Sequence, residues 1–188
     1  MKVILAFFFF FFFALLIVAG VFITSYNTLI TKENNISQYQ ANVSTQLQRR
    51  ADLIPNLVNT VKAYTKHEST VFTEIAKSRE KLLAASSVKE LNEANNAVTA
   101  SLGKLLVIAE GYPELKSDKV YIGLMDELAG TENRISYARD KYNTAVGEYN
   151  KAIKVIPNVF MANMMGLTEK EFFTVSEKAK EVPQVNFE

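Results

Sequence analysis

YIGLMDELAGTENRISYARDKYNTAVGEYNKAIKVI, running from Tyr121 to Ile156, is the stretch that decides the fold class. Its apolar and small residues fall at Tyr121, Leu124, Leu128, Thr131, Ile135, Ala138, Tyr142, Ala145, Tyr149, Ala152 and Ile156. Steps of three and four residues follow the period of an amphipathic helix and not the alternation of a strand. The spacing predicts one long helix. Asp118 is its candidate N-cap, because a carboxylate there can accept from the free amides of the first turn. Pro157 lies just past its end.

The same period recurs upstream. Leu29, Ile36, Val43, Leu47, Ile54, Leu57, Val58, Val61, Tyr64, Val71, Phe72, Ile75 and Leu82 predict one or two long helices. Leu91, Ala94, Val98, Leu102, Leu105 and Ala109 predict another near residues 89 to 110. Gly111-Tyr112-Pro113 should end it, the glycine by taking positive φ and the proline by breaking the ladder. Thr168, with Glu169 and Glu171, predicts a capped final helix to about Lys180, stopped by Pro183. No such stripe can hide its apolar side alone, and turn signals at 85 to 90 and 111 to 118 let neighbours fold back. The expected body is therefore an all-α, antiparallel, coiled-coil-like bundle of about four helices. Residues 32 to 66 carry a net +3 and residues 110 to 150 a net −3, which favours pairing of these segments.

Further outward lies a different kind of sequence. From Val3 to Ile23 there is no charge, and Phe7 to Phe13 are seven consecutive phenylalanines. Twenty-one residues at 1.5 Å rise span roughly 30 Å, the thickness of a hydrocarbon core. The stretch fits a transmembrane helix, with lipid as its partner through residues 3–23. A cleaved signal peptide fits less well, because the run exceeds the usual apolar core of such a signal and continues past the small residues Val18-Ala19-Gly20. The expected division is an anchor at 1–25 and a helical body at 26–188. Lys2 before the span and Lys32 after it give orientation only a slight lean, with the body outside the cytoplasm.

Composition closes off several functions. The 188 residues hold no Cys, no Trp and one His, so thiolate metal sites, disulfide frameworks and His-rich cages are excluded. Twenty-one Lys plus Arg against 20 Asp plus Glu leave no global field to recruit nucleic acid. There is no phosphate-cradling glycine loop and no nucleophile elbow. No cofactor is expected.

Several separated strings resemble one family. Gln46-Leu47-Gln48-Arg49-Arg50-Ala51-Asp52-Leu53-Ile54-Pro55-Asn56-Leu57-Val58, continuing to His67-Glu68, is similar to the signature of the LemA family. So are Tyr26-Asn27, Ala109-Glu110-Gly111-Tyr112-Pro113-Glu114-Leu115-Lys116, Thr131-Glu132-Asn133-Arg134-Ile135, the pairs Tyr142-Asn143 and Tyr149-Asn150, and Pro183-Gln184-Val185-Asn186-Phe187. The resemblance covers nearly the whole chain in order. It implies a single-pass protein of the bacterial cytoplasmic membrane with a helical body, and association with a membrane-embedded zinc protease. Family members are often described with a short outside N-terminus, opposite to the charge-based lean. Ile156-Pro157 and Gly166-Leu167 depart from the family's usual Phe-Pro and Gly-Phe.

Arg49, Arg50, Asp52 and Pro55 form the densest polar cluster. Pro55 removes one amide, frees the Ala51 carbonyl and should kink its helix. Arg49 and Asp52, three apart, can pair. Arg50 is expected to cross the bundle to Glu132, with Glu132, Asn133 and Arg134 opposite the kink. That would fix pairing, a role attested for buried polar groups. The alternative is a receptor surface for a partner. Tyr142 and Tyr149 share a stripe one heptad apart, read as packing with the hydroxyls near water rather than as a ligand site. Met161, Met164 and Met165 beside Phe160 either fill the bundle end or form a docking patch. His67 is the one imidazole and lies off the Tyr64–Val71 stripe. The function expected is a non-enzymatic scaffold or adaptor that contacts other membrane or envelope proteins and self-associates. A sensory, ligand-binding bundle is the alternative, and a hydrolase or metal enzyme depending on His67 comes third.

Overall fold

A computed structural model describes residues 2–65 and 68–174, with side chains from Ile4 onward. His67, the distal part of the expected final helix and the Pro183–Phe187 string lie outside the described residues. Among the described residues every regular element is helical: α1 (Lys2–Lys62), α2 (Ser69–Ala84), α3 (Val88–Glu110), α4 (Pro113–Lys116), α5 (Lys119–Ala152) and α6 (Asn158–Met164). The chain forms two compact units. Unit 1 takes Met1–Tyr39 and Asn143–Lys170, and unit 2 takes Gln40–Tyr142 and Glu171–Glu188.

α1 is unbroken for 61 residues and continues as helix past Pro55. Its segment from Ile4 is long and apolar enough to cross a membrane, and its most apolar window is not buried among the described residues. Phe7 to Phe13 are all exposed. Burial begins at Ser25 and then recurs by sevens at Leu29, Ile36, Val43, Arg50 and Leu57. A seven-residue repeat keeps one seam facing a partner helix. α5 carries the matching pattern, burying Tyr121, Leu128, Ile135, Tyr142 and Tyr149 on one heptad line, with Thr131, Ala138, Ala145 and Ala152 on a second.

In unit 2, α2 folds back along α3 through a short connection. Ser78 and Ser101 place their buried hydroxyl oxygens 2.9 Å apart, and Lys104 pairs with Glu74 at 2.6 Å, which fixes the two helices antiparallel. Ser87 caps α3: its hydroxyl accepts from the Glu90 amide, while the Glu90 carboxylate accepts from the Ser87 amide. The Ser86 amide, the Ser87 amide and the Ser86 hydroxyl all donate to the Glu90 carboxylate, and they hold its pKa down at about 2. Ser-x-x-Glu before an apolar run is the sequence form of this box, so the signal was present at 87–90.

The end of α3 differs from expectation. Gly111 keeps right-handed helical angles, φ −75 and ψ −5, so no positive φ is used. The stop comes from Pro113, which opens the one-turn α4, a place where its missing amide costs nothing. Asp118 does cap α5, accepting from the amides of Val120 at 2.7 Å and Tyr121 at 2.9 Å. Its other oxygen accepts the Tyr64 hydroxyl at 2.8 Å, and these bonds together lower its pKa.

α6 ends in a 6→1 and 5→2 bond pair, Leu167 amide to Ala162 carbonyl at 2.9 Å and Gly166 amide to Asn163 carbonyl at 3.2 Å. Gly166 sits at φ +66, where a side chain would be strained, and so makes the αL stop. The final helix expected from Thr168 is absent over residues 168–174, which are not helical. The backbone amide of Lys170 is instead taken by a side chain of α5.

Candidate functional site

Arg50 falls on the heptad line that is otherwise Leu29, Ile36, Val43 and Leu57, so helix geometry forces a guanidinium into the core. Only 5% of the residue is exposed. A charge there is tolerated only if it is paired and hydrogen-bonded. Its Nη1 donates to Asn95 Oδ1 of α3 at 2.7 Å and lies 2.6 Å from Glu132 Oε2 of α5. The second approach is an ion contact without an aligned hydrogen bond, since Glu132 Oε2 accepts no N–H in bonding geometry. Desolvation lowers the Arg50 pKa, and Glu132 partly offsets it.

A second guanidinium joins this group. Arg139 lies one heptad after Glu132 and therefore on the same face of α5. Burial lowers its pKa most, Glu132 raises it and Arg50 lowers it, so the carboxylate acts on one buried and one half-buried cation. Arg139 also lies over the Phe173 ring, 5.1 Å from its centroid. Its Nε and Nη2, like Arg50 Nε, find no hydrogen-bond partner among the described residues. Around Glu132, two guanidiniums thus act on one carboxylate, and donors on both remain without partners among the described residues.

One turn on from Arg50, Pro55 leaves the Ala51 carbonyl without its helical amide. Arg79 of α2 fills the gap, its Nε donating to that carbonyl at 2.8 Å. Its Nη2 lies 4.0 Å from Asp52, which also accepts from Gln48 at 2.9 Å. Arg49 does not pair with Asp52 as expected. It reaches across to Glu127, which is shared with Arg134 at 3.3 Å. Asn133 and Arg134 are exposed, so of the three residues expected opposite Pro55 only Glu132 turns toward Arg50. The periodicity explains this: positions 133 and 134 lie away from the Leu128–Ile135 seam.

Tyr142 and Tyr149 are buried on their shared stripe as the packing reading expects, but their hydroxyls are not turned to water. Tyr142 donates its hydroxyl to the Glu171 carbonyl at 3.0 Å, and its ring meets Phe173 edge-to-face at 5.0 Å. In unit 1 the Tyr149 hydroxyl is buried without a hydrogen-bond partner among the described residues, and the Lys170 ammonium lies over its ring at 5.8 Å. Desolvation raises both phenol pKa values. Asn150 takes the place of a backbone. Its Oδ1 accepts the Lys170 amide and its Nδ2 donates to the Lys170 carbonyl, both at 2.9 Å. Lys170 Nζ completes this arrangement on Glu33 at 2.8 Å.

Sequence reasoning missed Arg79, Asn95, Glu127 and Arg139. Arg139 had a signal, the heptad step from Glu132. Arg79 and Asn95 had none, because their roles depend on which helices become neighbours. Among the described residues no group of three or more His, Asp or Glu is arranged to hold a metal.

Comparison with known proteins points to one family. The LemA family sequence model matches residues 39–187. Magnetosome protein MamQ 2 of Paramagnetospirillum magneticum is 26% identical, covering 79% of this chain and 64% of that protein. Magnetosome protein MamQ of Magnetospirillum gryphiswaldense is 25% identical over the same shares. Protein LemA of Metamycoplasma hominis is 26% identical, over 84% of this chain and 72% of its own length. The chain thus spans slightly under two thirds of the MamQ proteins it matches. The match to the family model extends through both the arginine cluster and the tyrosine–asparagine pairs, and the chain belongs to the LemA family.

Proposed function

We propose that this protein is a single-pass scaffold or adaptor of the bacterial cytoplasmic membrane that acts through protein contacts and not through catalysis. Residues 1–25 serve as the anchor and 26–188 as the working body, held outside the cytoplasm. The observation that carries this reading is the continuity of α1. One helix supplies both the lipid-exposed apolar segment and the core seam of the body, so whatever binds the body is held close to the bilayer. Its partners are other membrane or envelope proteins, a membrane-embedded protease among them, and further copies of the chain. Mild crosslinking in membranes followed by detergent capture should yield defined homomers or partner adducts. A strictly monomeric protein without adducts would overturn the proposal. Protease digestion of intact spheroplasts carrying a C-terminal tag should remove the tag; protection would place the body on the other side.

A second reading, a sensor for a small anionic ligand, is supported by the surplus buried donors of Arg50 and Arg139. Thermal-shift titration with small carboxylates and inorganic phosphate tests it. Stabilisation that disappears in Arg139→Gln would favour this reading over the scaffold.

A further inference from the structure

The pairs Tyr64–Asp118 and Arg50–Glu132 run α1 and α5 antiparallel, and within unit 1 Lys32 pairs with Glu148 at 3.0 Å. α5 continues only four residues past Glu148, to Ala152. At 1.5 Å per residue that is about 6 Å, which brings its end level with Thr28 of α1. Ser25 lies beyond that level and is still buried, and the hairpin of residues 153–166 is the stretch of unit 1 that leaves the end of α5 there. Lys170 then returns to Glu33 and Asn150. The hairpin thus starts from α5 at the end of unit 1 where the apolar run of α1 stops, at Ile23.

The hairpin is two-sided. Ile153, Met161 and Ala162 are buried, whereas Val155, Ile156, Phe160 and Met164 are exposed, Ile156 by 77% and Met164 by 69%. The methionines thus divide between the two alternatives, Met161 filling the bundle end and Met164 facing outward. Lys151 and Lys154 are exposed beside the apolar group, and Lys154 has one exposed pair with Glu169. Apolar tips flanked by lysines suit the headgroup boundary, where aliphatic groups enter the acyl region and cations meet anionic lipid.

We propose that this hairpin is a second membrane contact: Val155, Ile156, Phe160 and Met164 dip into the leaflet from which α1 emerges, with Lys151 and Lys154 at the phosphates. The proposal rests on residues 4–23 being the anchor, and continuity with that segment is what selects lipid over a protein partner. The chain has no Trp, so Phe160→Trp creates a single tryptophan, selectively excitable over the tyrosines, at an exposed position. The full chain, reconstituted in phosphatidylethanolamine–phosphatidylglycerol vesicles, should show blue-shifted emission that is quenched by lipids brominated high on their acyl chains. Met164→Trp should behave alike, and Tyr137→Trp, exposed in unit 2, should not. Loss of quenching at 160 and 164 while Phe9→Trp remains quenched overturns the proposal and leaves the anchor intact. Loss at all three positions overturns the anchor itself. A blue shift without quenching would put a protein surface, such as a second copy, on the hairpin and also overturns the proposal.

Discussion

Both compact units draw on α1 and α5, yet they solve the problem of buried polarity in different ways. Unit 1 keeps its ion pairs at the edge: Glu148 is well exposed, and Lys32, Glu33 and Lys170 are partly so. Its one buried side-chain amide, Asn150, is spent on the backbone of the chain that returns from α6. Unit 2 instead places a guanidinium on a core position and needs α3 and α5 together to satisfy it. An edge ion pair contributes little and leaves alternatives open, whereas a buried charge penalises every arrangement in which its partners are missing. The contrast shows that unit 2 has its helix neighbours specified chemically, and unit 1 mainly by shape.

Breaking the contrast should cost most at Arg50. Arg50→Ala leaves Asn95 without its donor and Glu132 without its near cation. Loss of a buried partner costs about 3–5 kcal/mol, and the half-exposed Glu132 side chain brings the expectation to about 3 kcal/mol. Thermal unfolding of the full chain in detergent, followed by circular dichroism, should show it. A Tm equal to the parent's would mean the cluster specifies nothing. Next in size, Asn150→Ala removes two hydrogen bonds to Lys170 at about 1 kcal/mol each. Hydrogen exchange should speed up at the Lys170 amide, and unit 2 should keep its protection. Tyr142→Phe loses one bond, that to Glu171, for about 1 kcal/mol.

The smallest effects lie on exposed groups. Lys32→Ala should change stability by less than about 1 kcal/mol, which sharpens the comparison with Arg50. The capping carboxylate of α3 adds a pH signature. Folding depresses the Glu90 pKa from 4.5 to about 2, so its contribution is complete above the unfolded value. It fades as pH falls from 4.5 toward about 2, the direction expected for a group protonated more readily when unfolded. The stability gap between the parent and Glu90→Gln should therefore narrow through that window; a gap that is flat with pH would contradict the bonds to Ser86 and Ser87.

The helices were legible because their stripes are long: α3 and α5 begin and end close to where periodicity and Asp118 put them. The Arg50–Glu132 contact was legible too, since an arginine on a seam position must find an acid on a facing seam. The last stretch was not. Thr168 with two following acids looks like a helix start, but the αL stop at Gly166 and the side chain of Asn150 claim that backbone first. Local propensity is a weak prior where tertiary bonds compete for the same amides. Asp52 failed as a partner for Arg49 for a similar reason, because Glu127 on another helix gives a closer acid than the neighbour three residues along.

One consequence follows from Pro55. Along a uniform rod each turn presents the same surface, and a packed neighbour could slide by about 5.4 Å, one full turn, and find an equivalent seat. The missing amide makes one turn unlike the others, because the Ala51 oxygen there still wants a proton and Arg79 supplies it. Proline thereby works as a notch. It sets the axial position of α2 on α1, and Pro55→Ala, though it mends the helix ladder, would erase the mark by which the two helices measure their alignment.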